Sequence, residues 1–390
     1  MAPPRLQLPY IQAFAEHFAV VSLIGPRAVG KSAMCFAAFP HSRFVDLEAP
    51  DQRERMRRGP LSYLAALPRH AVVGSAHRVP ELLPALGELL SMPEERDRRF
   101  ILAGTRPLVG EPEALRGMHS RLWMLPLSLA ERAAGLSLDE VMWSGGFPGV
   151  LDSPMPARVW FSEYVGTFLD RELRDFVDVL DPEQFLGFLR AAAGQSGGLL
   201  NLSALAKQVG IAHGTARSWL AALEAALFVL PAPAFRRQGW QRLVTAPRLH
   251  LLDTGLLCWL LGIESPSDLA RHPQRGAVFQ TFVWTELLKS RLIRGAAPSL
   301  SHFRDRKGNG VDVVFEGTGR DGSPQITAAQ VSLLPRAGGG ALRTLGRLAN
   351  RIQKETGEPV TQLFLYSGEQ RLDYKGVLLV PWRELDRVVV

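Results

Sequence analysis

Four short apolar runs in the first 150 residues, FAVVSLI, RFVDLE, HAVVGS and RFILAGT, stop at glycines or acidic residues and alternate with segments of helical periodicity. That alternation predicts a parallel sheet with helices on its faces. From about Ala157 to Gly262 the pattern turns helical and rich in Ala and Leu, and only FVLPAPAF and RLHLLD read as strands. From Gly276 onward an amphipathic helix, FQTFVWTELLKSRL, leads into returning strands, with TGRDGSPQ from Thr318 and GGGALR from Gly338 read as loops. Three segments follow: an α/β domain over 1–150, a helical segment over 151–275, and a C-terminal α/β domain over 276–390.

Composition agrees with folded domains: of 390 residues, 46% are hydrophobic and 21% charged, too long a chain for one core. No apolar run approaches the ~20 residues needed to span a bilayer. The start, MAPPRLQLPY, has no signal-peptide core, so a cytoplasmic protein without a membrane partner is expected. Cys35 and Cys258 read as two buried thiols rather than a disulfide or a zinc site. The net charge of +7 and pI near 9.8 come mainly from arginine and are compatible with nucleic-acid binding. Of the local clusters, RERMRR at 53–58 reads as a solvated face, while FRRQGWQR lies at 235–242.

GPRAVGKS, residues 25–32, fits the phosphate-loop pattern G-x-x-x-x-G-K-[ST], follows FAVVSLI and opens a helical segment. In that context loop amides and a helix N-terminus converge on phosphate oxygens. Gly25, Pro26, Arg27, Ala28, Val29, Gly30, Lys31 and Ser32 form the cradle. Lys31 would sit on the β- and γ-phosphates of ATP, and Ser32 would offer its hydroxyl to Mg²⁺.

The order of GPRAVGKS, AHRVPELL, FILAGTRPLV, RLWMLPLSLAE, GGFPGVL, LLDTGLLCWLLG, VFQTFVWTELLK and FRDRKGNGVDVV resembles a family of prokaryotic AAA-type P-loop ATPases. These carry a winged-helix segment and a restriction-endonuclease-like C-terminal domain. The resemblance implies an AAA-like parallel sheet, a winged-helix middle and a nuclease-like α/β domain. It also implies that the strand before A-H-R-V-P should end Asp-Glu, the first holding Mg²⁺ and the second polarising water. Here those positions are Gly74 and Ser75. Asp46 and Glu48 end another strand that in AAA sheets lies away from the phosphate loop; they read as helix or loop caps, the alternative being that one of them reaches the metal and serves a rearranged metal site. Thr105 resembles the family's sensor and Arg121 its arginine finger, against the plainer readings of a turn hydroxyl and a surface arginine.

In the middle segment, Leu205, Val209, Ile211, Ala216, Leu220 and Leu223 fit two helices joined at Gly210, a helix-turn-helix presenting Thr215, Arg217 and Ser218 to duplex DNA. Arg236, Arg237 and Arg242 would lie on a wing. Packing, self-association or a protein partner is the alternative use. In the last domain, the resemblance places Gln280, Gln330 and Ser332 where a nuclease has Glu, Glu and Lys, and keeps only Asp312. Asp312 then reads as a half-buried residue bonding a turn, and Glu286 as a solvent-facing partner of Lys289. The leading expectation is an ATP-binding AAA-like protein with little hydrolysis and no nuclease activity, acting near DNA. The alternatives are an ATPase with a rearranged metal site and a nucleotide-independent DNA-binding or scaffolding protein.

Overall fold

The valine-rich run after the helix Leu8–His17 forms β1, Val20–Ile24, buried at every position as a strand covered on both faces must be. It is the fourth of five strands, all parallel, in the order β2-β3-β4-β1-β5, where β2 is Arg43–Asp46, β3 is His70–Gly74, β4 is Arg99–Gly104 and β5 is His119–Trp123. The chain switches direction of travel across the sheet at β1, the place where open α/β sheets form ligand crevices. With the phosphate loop leaving β1, this is the P-loop NTPase fold. Helix Leu82–Ser91 buries seven of its ten residues and packs with Val73, Phe100 and Leu102. Each fully buried leucine there contributes roughly 1.5–3 kcal/mol.

The computed structural model describes residues 5–132, 134–236, 244–318 and 323–388. They fall into two compact units: Met1–Leu127 with Leu292–Ala296, which holds the five-stranded sheet, and Ser128–Arg291 with Ala297–Val390. The three-segment division at 150 and 275 stays a reading of modules along the chain rather than of compact units. Among the described residues no helix is long and apolar enough to cross a membrane.

In the second unit, helices Leu202–Val209 and His213–Ala225 meet at Gly210 and are followed by an antiparallel pair, β6 (Val229–Ala232) and β7 (Arg248–Leu251). A six-stranded mixed sheet comes next: β8 Ser301–Arg304, β9 Gly310–Thr318, β10 Pro324–Ser332, β11 Val360–Tyr366, β12 Leu372–Tyr374 and β13 Val377–Pro381, in the order β12-β13-β11-β10-β9-β8. β10 and β11 are parallel, so a crossover is required, and helix Gly339–Thr356 supplies it.

Two expectations are corrected here. GGGALR is not a loop: Gly338 is the N-cap of helix Gly339–Thr356, whose Leu345, Leu348, Ala349 and Ile352 recur at helical spacing and are buried, overriding the glycines. Helix Arg275–Ile293 is not amphipathic either. Thr281, Thr285, Glu286, Lys289, Ser290 and Arg291 are buried along with its apolar residues.

Candidate functional site

The loop from Gly25 to Gly30 turns back on itself through two left-handed residues, Ala28 (φ 59°) and Gly30 (φ 92°), and hands over to helix Lys31–Ala38. A Cβ at Gly25 would lie 1.9 Å from the Met124 carbonyl oxygen, so no larger residue fits. The Gly25 amide donates to the Gly104 carbonyl (3.1 Å), tying the loop to the end of β4. Lys31 Nζ donates to the carbonyls of Gly25 (2.7 Å) and Pro26 (2.6 Å), so the ammonium braces the loop from inside. Burial, and then the Arg27 guanidinium, pull that ammonium down to about 7.

The loop opens on a cleft of about 340 Å³ lined by Arg27, Ala28, Gly30, Lys31 and Ser32, by Asp46 and Glu48 after β2, by Gly74, Ser75 and His77 after β3, and by Gly104 and Thr105 after β4. That volume sits at the lower end of the about 300–1,000 Å³ typical of ligand sites. Asp46 and Glu48, read from sequence chiefly as caps, line this cleft: β2 is the edge strand, and it ends level with β3, Asp46 standing opposite Gly74. Glu48 is held by Arg78 through two hydrogen bonds (2.8 and 3.0 Å) and by Arg27 (3.3 Å).

Thr105 lines the cleft, with its hydroxyl 3.1 Å from His77 Nε2 and its amide donating to His77 Nδ1 (3.3 Å). Burial, followed by the nearby Arg106, Arg78 and Lys31 charges, pulls His77 down to about 3, so it is neutral. Nothing in the sequence pattern singled out His77 as the partner of Thr105. Arg121 is not brought to the cleft. It lies mid-strand on β5 opposite Ser22 and pairs with Glu111 (2.8 Å), which also accepts from His119 (3.0 Å).

Of the residues expected to meet DNA, Arg217 and Ser218 are exposed on helix His213–Ala225, Thr215 is half-buried, and Arg236 is exposed; Arg237 and Arg242 lie outside the described residues.

The structure brings Gln280, Asp312 and Gln330 together around a residue the sequence reading passed over, Arg248. Its guanidinium bonds Gln280 Oε1 (2.8 Å) and pairs with Asp312 Oδ1 (2.9 Å). Asp312 Oδ2 accepts from the Val331 amide (2.8 Å) and from the Gln330 side chain. Asp312 is therefore a buried ion-pair partner that bonds strand β10, not a half-buried residue on a turn. Ser332 stands apart, accepting the Leu334 amide (3.3 Å). Glu286 does pair with Lys289 (2.8 Å), but both are buried, and Glu286 also accepts the Leu129 amide (2.7 Å). A lone arginine in the apolar run RLHLLD was the available signal for Arg248. Among the described residues no group of three or more His, Cys, Asp or Glu could hold a metal.

The motifs GGFPG and LLDTG, which marked the resemblance, are structural: the Asp253 carboxylate accepts the Gly146 amide (2.7 Å) and the Leu256 amide (3.0 Å), stitching one to the N-terminus of the other's helix.

A profile of a domain of unknown function (DUF8612) matches residues 135–267. Among solved structures, the chain is similar to the Walker-type ATPase PABY2304 of Pyrococcus abyssi, at a TM-score of 0.45 and 14% identity over 67% of this chain and 96% of that one. It is more loosely similar to RuvB of Thermotoga maritima, at a TM-score of 0.30 and 16% identity over 58% and 87%. Uncharacterized protein Rv2008c of Mycobacterium tuberculosis is 32% identical over 342 residues, 85% of this chain and 75% of the relative, and Mb2031c of Mycobacterium bovis matches to the same extent. At that identity and coverage, the chain belongs to the family of these two mycobacterial proteins.

Proposed function

We propose that this protein binds a nucleoside triphosphate, ATP in the first instance, with its phosphates on residues 25–32 and Mg²⁺ beside Ser32. The single observation that carries the reading is the braced loop between β1 and helix Lys31–Ala38, open on the cleft that Ser32 and Thr105 share. Amides of such a loop and the helix N-terminus favour anions. The position of the water-polarising carboxylate is Ser75, and Glu48 is occupied by two arginines. Loss of base catalysis typically removes 10²–10⁴-fold of rate. Binding with slow turnover follows, as suits a nucleotide-dependent binding or regulatory protein.

Titration of the full chain with labelled ATP, followed for hours for phosphate release, tests this. Lys31→Ala is expected to weaken binding at least about 30-fold, as losing a buried charged contact of 2–5 kcal/mol would. Unchanged affinity in that variant sinks the reading, and hydrolysis at more than a few turnovers per hour removes its slow-turnover part.

A second activity, contact with duplex DNA, is favoured by exposed Arg217, Ser218 and Arg236. It predicts DNA affinity that falls steeply with salt and is reduced in Arg217→Ala. Absence of DNA affinity at low salt leaves self-association or a protein partner as the use of that helix.

A further inference from the structure

We infer that Asp46 supplies the carboxylate that organises a divalent cation at the bound phosphates, one strand away from where a P-loop protein usually keeps it. The inference rests on the nucleotide reading above.

The usual position, at the end of β3, is Gly74, and β2 pairs with β3 in parallel so that Asp46 lies opposite it. A Cβ built on Gly74 would lie 3.2 Å from Asp46 Oδ1 and 3.1 Å from Phe44 Cζ. The space that a β3 side chain would enter is thus already lined by β2, and the group presented there is a carboxylate. Asp46 is exposed to the same cleft as Ser32 and Lys31. Its Oδ1 accepts the Glu48 amide (3.0 Å), which fixes the side chain without neutralising it. Among the described residues no lysine or arginine forms an ion pair with Asp46, whereas Glu48 is held by Arg27 and Arg78. Asp46 is therefore the carboxylate in the cleft with its charge uncommitted.

The donors fit the ion. Mg²⁺ prefers hard oxygens, keeps several waters, and in such sites takes one or two protein oxygens besides the phosphates. The Ser32 hydroxyl and the Asp46 carboxylate are such a pair, and an exposed carboxylate suits contact through a retained water. The arrangement keeps the cation-organising half of the missing Asp-Glu pair and loses the water-polarising half.

The test is the Mg²⁺ dependence of nucleotide affinity, read by titrating a fluorescent ATP analogue into the full-length protein at increasing Mg²⁺. Wild type, Asp46→Asn, Asp46→Glu and Asp51→Asn, a surface carboxylate on helix Pro50–Arg58, are compared. Asp46→Asn is expected to raise the Mg²⁺ concentration needed for half-maximal enhancement by about 10–100-fold, the effect typical of losing a residue that orders a metal's surroundings. Its affinity in EDTA should equal or exceed that of wild type. Asp46→Glu should recover part of the loss. Wild-type Mg²⁺ dependence in Asp46→Asn, or an equal loss in Asp51→Asn, overturns the inference while leaving nucleotide binding in place. Failure of wild type to bind the analogue with or without Mg²⁺ overturns the nucleotide reading itself.

Discussion

The cleft at the Gly25–Ser32 loop and the centre around Asp312 each lack carboxylates that the sequence resemblance leads one to expect, and they differ in what stands in the gap. Beside Gly74 the neighbouring strand offers Asp46, and the cleft stays open. Around Asp312 the gap holds the Arg248 guanidinium, which satisfies the one remaining carboxylate and the Gln280 amide. In the second centre a cation built into the protein already neutralises the carboxylate, whereas in the first the proposed ion would come from solution. A missing motif residue thus carries no fixed meaning until the atoms around the vacancy are known.

The largest expected effect tests the second centre. Arg248→Met should destabilise the protein by about 3–5 kcal/mol, because Asp312 is left buried and unpaired. The double variant Arg248→Met with Asp312→Asn should recover much of that loss, as measured by urea unfolding. If the single variant costs less than about 1 kcal/mol, the guanidinium is not what neutralises Asp312 and the two regions differ less than the geometry implies.

How legible this was depended on whether a residue's role lies in its own segment or in its neighbours. The runs that became β1 to β4 were readable because each is short, apolar and bounded, and GPRAVGKS because strand, loop and helix are contiguous. β5 was not anticipated: HSRLW carries His119 and Arg121, and only the pairing of both with Glu111 shows why a polar run is a strand. Arg121, placed by motif order, lies in the middle of β5 rather than at the cleft. Asp46, Arg248 and His77 gain their roles across strands, from register and side-chain direction, which no local pattern records. Helix Arg275–Ile293 was misread for the opposite reason, since its polar residues mimic a solvent face while bonding inside the unit.

pH should move stability and nucleotide affinity in opposite directions. Burial, and then the Arg248 charge, pull His250 down to about 3; burial likewise pulls His302 down to about 4. Both lie below the ordinary value of 6.5, so the unfolded chain binds more protons as the pH drops. The stability they contribute is full above pH 6.5 and is lost as the pH falls toward 4. His77 in the cleft unit adds to the loss in the same direction. Thermal unfolding should show a falling Tm from pH 7 to pH 4.5, and a flat Tm contradicts the buried neutral imidazoles. Nucleotide affinity should move the other way. With Lys31 at about 7 in the empty loop, each pH unit above about 7.5 should weaken ATP binding up to tenfold, because the bound phosphates require the proton that the free lysine has lost. Affinity that is constant from pH 7.5 to 9 would mean the ammonium is already held charged by the Gly25 and Pro26 carbonyls.

The smallest effect sets the two regions on one scale, because both contain an arginine bonded to a carboxylate. Arg78 and Glu48 are joined by two hydrogen bonds, but their side chains are 17% and 43% exposed, against 10% and 5% for Arg248 and Asp312. Water and salt reach the first pair, so its attraction is screened and offset by side-chain ordering, leaving about 0.2–1 kcal/mol. Arg78→Gln should therefore shift the urea midpoint only slightly, and the shift should vanish near 1 M salt. The penalty of Arg248→Met should persist at the same salt concentration, since no counter-ion can enter to replace the guanidinium. Equal salt sensitivity of the two penalties would place Asp312 within reach of solvent and its ions.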